Sequence, residues 1–155
     1  ASGDIGPKRK QGDYQVPEGF YSIDRFNPQS TYHLSLGLNY PNQSDKILSS
    51  KTSPGGNIFI HGSCVSAGCL AITDEWIEEL YVYCVEAQNN GGTIQVTIFP
   101  FKPSVENMMY NTLGYPELKH EFSLWTDLKR GYDQFNESYE LPNVQFNEDG
   151  SHTII

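Results

Sequence analysis

The chain has 155 residues, enough for one domain that buries its own core without disulfide or metal staples. Its aromatic content of 13%, with 10 Tyr and 8 Phe, excludes a disordered chain. Nineteen Asp plus Glu stand against 10 Lys plus Arg, and the resulting net charge of −9 is repelled by phosphate backbones and anionic lipid headgroups, which argues against nucleic acid as a partner.

No apolar run approaches the ~20 residues of a membrane span. The segment Ala1–Lys10 is polar and has no basic-then-apolar export signal, as in a processed product. Its Lys8-Arg9-Lys10 cluster, the only basic one, is expected to be solvated.

Short strands are expected at Gly19–Asp24, Thr31–Leu38 and Asn57–His61, where aromatic and β-branched residues are punctuated by Pro, Gly and Asn. The polar stretch Pro41–Gly56 reads as a long surface loop, either a binding lid or a plain connection. Thr73 is positioned to cap a helix with Asp74 and Glu75 in its first turn, with Ile77, Leu80, Tyr81 and Cys84 on one face and Gly91-Gly92 ending it. Thr93–Phe99 alternates like a half-buried strand, and Glu117–Phe135 carries a helical stripe through Phe122, Trp125, Leu128 and Tyr132. Val144–Ile155 is expected to return as a strand pair about Glu148-Asp149-Gly150. The class is α+β, one domain over residues 1–155, with helices after the His/Cys loop and near the C-terminus.

The stretch Gly56–Thr73 carries the chemistry. A strand delivers His61, the chain turns through Gly62, and a loop runs to Ser66-Ala67-Gly68-Cys69. A thiol attacks as the thiolate and needs a base close by, which His61 could supply if the loop folds back. Glycine at 68 opens space for the backbone N–H groups of Gly68 and Cys69 to face a substrate oxygen, as an oxyanion hole requires. From the residues alone, a nucleophile and a buried, inert thiol both stay open.

The string His61-Gly62 followed by Ser66-x-Gly68-Cys69 resembles the active-site signature of the L,D-transpeptidase (YkuD-like) family of bacterial cell-wall enzymes. Val16-Pro17-Glu18-Gly19-Phe20-Tyr21 resembles that family's Thr-Pro-x-Gly-x-Phe segment. GPKRKQGDYQVPEGFY, LNYPN at 38–42, IFPF at 98–101 and the compact HGSCVSxGC loop are similar to its YafK/DpaA-like branch. The resemblance implies a β-rich catalytic fold of mixed sheets and a covalent thioester mechanism without a cofactor. Cys69 would be the nucleophile, His61 the base and Gly62 the carbonyl that orients it; Ser66 would belong to the signature without being the nucleophile. The implied partners are peptidoglycan stem peptides and a peptidoglycan-linked lipoprotein, in the periplasm or cell envelope. Leu70-Ala71 departs from the family, which has Arg or Asn at the second of these positions; an Arg there could hold a substrate carboxylate. This departure and the short His-to-Cys interval favour hydrolysis of a diaminopimelate-linked amide. The alternatives are a true transpeptidase that forms crosslinks or attaches lipoprotein, and a non-catalytic peptidoglycan-binding domain.

Other residues are weighed the same way. Tyr40 could line the cleft and meet a stem-peptide carboxylate, or pack in the core. Zinc takes four ligands, and Cys64, Cys69 and His61 show no C-x-x-C or H-E-x-x-H pattern, so no metal site is expected. Cys84 reads as a core thiol, and His33 as a structural or surface histidine.

Overall fold

The computed structural model describes residues 3–155. β1 (Gly19–Ser30) and β2 (His33–Leu38) form an antiparallel hairpin, β3 (Phe59–His61) adds antiparallel to β2, and β4 (Leu70–Ala71) adds parallel to β3. β5 (Gln95–Ile98) pairs with the other edge of β1, giving the order β4-β3-β2-β1-β5. β6 (Val144–Phe146) and β7 (His152–Ile154) form the expected C-terminal hairpin, with Gly150 at positive φ in its turn.

β1 continues past Asp24 because a register shift between Ile23 and Arg25 resets the pleat. The extra residue lets Ile23 and Phe26 face the same way although they lie an odd number of residues apart. They pack with Leu36, Leu38 and Ile60 against Ile77 and Cys84 of α2 (Asp74–Asn89). Burial pushes the Cys84 thiol pKa up, as suits a core residue.

The expected cap of α2 is corrected. Thr73 sits at φ 72° and its side chain makes no capping bond. Its neighbour Asp74 instead accepts from Ser63 N–H at 2.7 Å, tying the helix start to the loop after β3.

A second core lies at the β1–β5 end, where Leu124, Trp125 and Leu128 of α4 (Phe122–Ser138) enclose Phe20. α4 starts later than its stripe suggests. Pro116–Glu121 is a 3-10 helix, and Leu118 (φ −90°, ψ 15°) breaks the helical path between them.

Two helices were not foreseen, α1 (Gln43–Leu48) and α3 (Val105–Gly114). α1 rests on a reciprocal cap: Asn42 accepts from Asp45 N–H at 2.9 Å, and Asp45 accepts from Asn42 N–H at 3.1 Å. Because Asn42, Ser44, Asp45 and Ser49 are buried, this first half of the 41–56 segment is packed against the body, and the exposed run is Lys51–Ser53.

The basic cluster is also corrected. Lys8 is buried and donates to Asp13 at 2.6 Å, and Arg9 pairs with Glu121 and with Asp45. Glu18, buried beside this arm, accepts from Gly6 N–H at 3.0 Å and from the Trp125 indole N–H at 2.8 Å. Burial nonetheless pushes its pKa up to about 7. The folded state therefore holds a proton that the unfolded chain releases nearer pH 4.3, so stability falls as pH rises towards 7. We expect the unfolding free energy from urea titration to fall between pH 5 and pH 8, by on the order of 3 kcal/mol from Glu18. The fall should shrink in Glu18→Gln; an unchanged slope would assign it to other groups.

Candidate active site

Sheet register assembles the site. Ser35 pairs with His61 across β2–β3, His61 pairs with Ala71 and Ile60 with Leu70 across β3–β4. Cys69 directly precedes β4 and so falls level with Phe59. Phe59 and His61 share a face because side chains alternate along a strand. The connecting loop is closed by Ile72 N–H to His61 carbonyl at 3.0 Å and Thr73 N–H to Ser63 carbonyl at 3.0 Å.

His61 is buried, and its Nδ1 lies 2.6 Å from the Gly62 carbonyl. A carbonyl only accepts, so Nδ1 carries the proton and Nε2 is left as the basic nitrogen. The Tyr32 ring stacks on the imidazole, with centroids 4.7 Å apart and planes 30° apart. His61, Tyr32 and Cys69 line one cavity of about 270 Å³ with Ser35, Asn57 and Phe59. The thiol's own hydrogen bond runs to the Asn57 carbonyl at 3.6 Å and not to His61. Long or unmade contacts between catalytic partners are common before substrate binds.

A second cavity of about 460 Å³, walled by Lys8, Gln11 and Tyr14, meets the first at Asn57 and Cys69. Cys69 thus lines both cavities. Asn57 holds its carbonyl there at φ 54°, a conformation asparagine tolerates better than most residues.

Gly68 has φ 105°, and a Cβ there would lie 2.9 Å from the Gln15 carbonyl, so the loop needs glycine on both counts. Cys69 N–H donates to Ser66 Oγ at 2.8 Å, while Ser66 Oγ donates to the Cys69 carbonyl at 2.7 Å. The Ser66 hydroxyl therefore braces the Cys69 backbone, and the Cys69 N–H expected at an oxyanion hole is occupied.

Tyr40 requires correction. It is 5% exposed in the first core, and its hydroxyl donates to the Pro54 carbonyl at 2.9 Å. Burial and the Asp45 carboxylate push its pKa up to about 12. It does not line the cavity at His61; Tyr32 is the tyrosine there. His33 pairs with Glu78 at 2.6 Å on the surface. Cys64 is exposed and unbonded to another cysteine. Among the described residues no group of three or more His, Cys, Asp or Glu could hold a metal ion, and no helix is long and apolar enough to cross a membrane.

Sequence reasoning missed Tyr32 and Asn57 as lining residues of this cavity. Asn57 follows Gly55-Gly56, a breaker signal consistent with its unusual φ, whereas Tyr32 lies in the β1–β2 turn and is brought to His61 by the pairing of β2 with β3.

The mixed sheet carries a Cys/His cleft on one face and α2 on the other. The family model for the L,D-transpeptidase catalytic domain (YkuD) matches residues 1–98. Two Escherichia coli proteins, from strains K12 and O157:H7 and both named "Putative L,D-transpeptidase YafK", are 36% identical over 150 residues. The match covers 92% of this chain and 56% of theirs, so the chain spans little more than half the length of these curated relatives. The crystal structure of the helical cell shape determining protein Pgp2 from Campylobacter jejuni shares the fold, with a TM-score of 0.53 at 19% identity over 95% of this chain and 62% of that one. Its K307A mutant gives the same TM-score at 20% identity. The chain belongs to the L,D-transpeptidase (YkuD) family.

Proposed function

We propose that the chain is a cysteine-dependent cell-wall enzyme that opens an amide on a peptidoglycan stem peptide through a thioester at Cys69. The carrying observation is His61 with Nδ1 fixed to the Gly62 carbonyl, in the cavity that holds the thiol. In this reading Cys69 Sγ attacks the carbonyl carbon of a diaminopimelate residue while His61 Nε2 takes the thiol proton. The tetrahedral oxyanion takes the Gly68 N–H, and the Cys69 N–H once Ser66 releases it. The C–N bond breaks, the amine leaves with the proton from His61, and the thioester remains. Water or a second amine then attacks the thioester, His61 takes up its proton, and the thiol is regenerated.

The two cavities that meet at Cys69 suit this sequence, one for the acyl part and the other for the departing or entering group. The short loop between His61 and Cys69 leaves little chain to build a dedicated acceptor site, which favours water and hence hydrolysis. A lipoprotein joined to peptidoglycan through diaminopimelate is the proposed macromolecular substrate, and such a substrate puts the enzyme in the periplasm or cell envelope.

Mass spectrometry after incubation with intact sacculi tests the reading, with Cys69→Ala as control. Release of lipoprotein or stem-peptide fragments, absent in the control, is expected. New diaminopimelate–diaminopimelate crosslinks would make the chain a transpeptidase instead. Neither product, with Cys69 unacylated, would overturn the catalytic assignment.

A further inference from the structure

We propose that Arg25 reads a substrate carboxylate beside the nucleophile. The proposal rests on the peptidoglycan reading above and specifies which residue supplies its anion recognition. A chain of net charge −9 gains nothing from bulk attraction to an anionic polymer, so a carboxylate must be met by a local cation. The candidates differ in how free they are. Lys8, in the second cavity, is buried against Asp13, and Arg9 is held by Glu121 and Asp45. Ala71, on the His61 row of β4, offers no charge.

Arg25 reaches the site through the sheet. It pairs with Gly37, and Gly37 pairs with Phe59, so the three lie in one row on the face that carries His61. Glycine makes the crossing possible: a Cβ on residue 37 would lie 2.8 Å from Arg25 Nε and 2.9 Å from its Cβ. The guanidinium passes over this gap and rests on the Phe59 ring, 4.9 Å from its centroid. Arg25 Nε donates to Asp24 at 2.9 Å, Nη1 to Asn57 Oδ1 at 3.3 Å and Nη2 to the Leu38 carbonyl at 2.8 Å.

A guanidinium has five N–H groups, so these bonds leave one on each terminal nitrogen. Its side chain is 40% exposed, and Asn57 and Phe59, on which it rests, both line the cavity with Cys69. A cation so placed is preorganised. It meets a carboxylate carried by the acyl residue over Phe59 of β3, the strand next to β4, without having to be ordered first. Asp24, 42% exposed, pairs with Nε, and the unused N–H groups on the two terminal nitrogens are those an anion would take.

Binding to the full chain carrying Cys69→Ala, measured by calorimetry, isolates recognition from turnover. The probes are a synthetic stem tripeptide ending in diaminopimelate and the same peptide with the diaminopimelate side-chain carboxylate converted to the carboxamide. The carboxylate peptide should bind about 10- to 100-fold more tightly than the carboxamide. Arg25→Gln should remove that difference by weakening only the carboxylate peptide, and Arg25→Lys should keep part of it. Melting curves of both variants report whether the fold survives. Equal weakening of both peptides, or no preference in the parent, overturns the Arg25 proposal while the peptidoglycan reading stands. Binding of neither peptide, together with an unacylated Cys69 in native chain exposed to sacculi, sinks both.

Discussion

Replacing His61 with Ala should slow acylation of Cys69 by on the order of 10²–10⁴-fold, and imidazole added to the buffer should restore part of the rate. The size follows from the proposed role, in which the imidazole takes the thiol proton and returns it to the leaving amine, so that one side chain serves both halves of the reaction. Its orientation comes from a neutral acceptor, the Gly62 carbonyl at 2.6 Å, where other catalytic triads use a carboxylate. Rescue is expected because removal leaves an imidazole-sized space beneath the Tyr32 ring, which now stacks on His61 at 4.7 Å. The rate of thioester appearance, read by intact-protein mass spectrometry, is the measurement. A rate within a few-fold of the parent would show that another group serves as the base.

Trp125→Ala should destabilise the fold by about 3–5 kcal/mol, the usual loss for a large aromatic removed from a packed core. For a domain of this size that lowers the melting midpoint by roughly 6–20 °C. Trp125 is 1% exposed, packs against Phe101 and Phe122, and donates its indole N–H to Glu18. Trp125→Phe keeps most of the apolar volume and removes only the donor, so it separates packing from hydrogen bonding. Since Glu18 ionises around pH 7, the missing donor matters more to the carboxylate than to the acid. The Phe variant's deficit in urea unfolding should therefore grow from pH 5 to pH 8. Equal deficits at the two pH values would mean that packing alone holds Trp125.

The parts of this fold that were legible are those whose signal is local. Alternation in Thr93–Phe99 forms β5, and the Ile77–Cys84 stripe covers the sheet as α2. α3 escaped because Val105, Met109 and Leu113 face solvent, which leaves little core-facing stripe to read. α1 escaped because six residues are too short for a period to emerge, although its Asn42–Asp45 cap was visible in principle. Within the candidate site, His61, Gly68 and Cys69 were singled out by the resemblance of their motif to a family signature, and the fold sets His61 and Cys69 on one cavity. Tyr40 and Tyr32 were not told apart, because both are aromatic residues near strands and only pairing decides which one is buried and which one stacks on the imidazole. Lys8 and Arg9 looked solvated because their partners Asp13, Asp45 and Glu121 are brought in partly by chain returning from far away. Arg25 reaches Phe59 across Gly37, a relation that exists only once the register is known.

The two-residue strand β4 has a consequence for how this site can vary. Its pairing with Ile60 and His61, and not the length of the chain between Gly62 and Gly68, sets the phase of the thiol. Residues can be gained or lost around Ser63–Val65 and Cys69 still emerges on the same side of the sheet. One residue inserted between Cys69 and Leu70 would turn the sulfur towards α2, because side chains on a strand change sides at every step. The loop can thus change in length while Cys69 is held in phase by a pair of rungs that tolerate no such change.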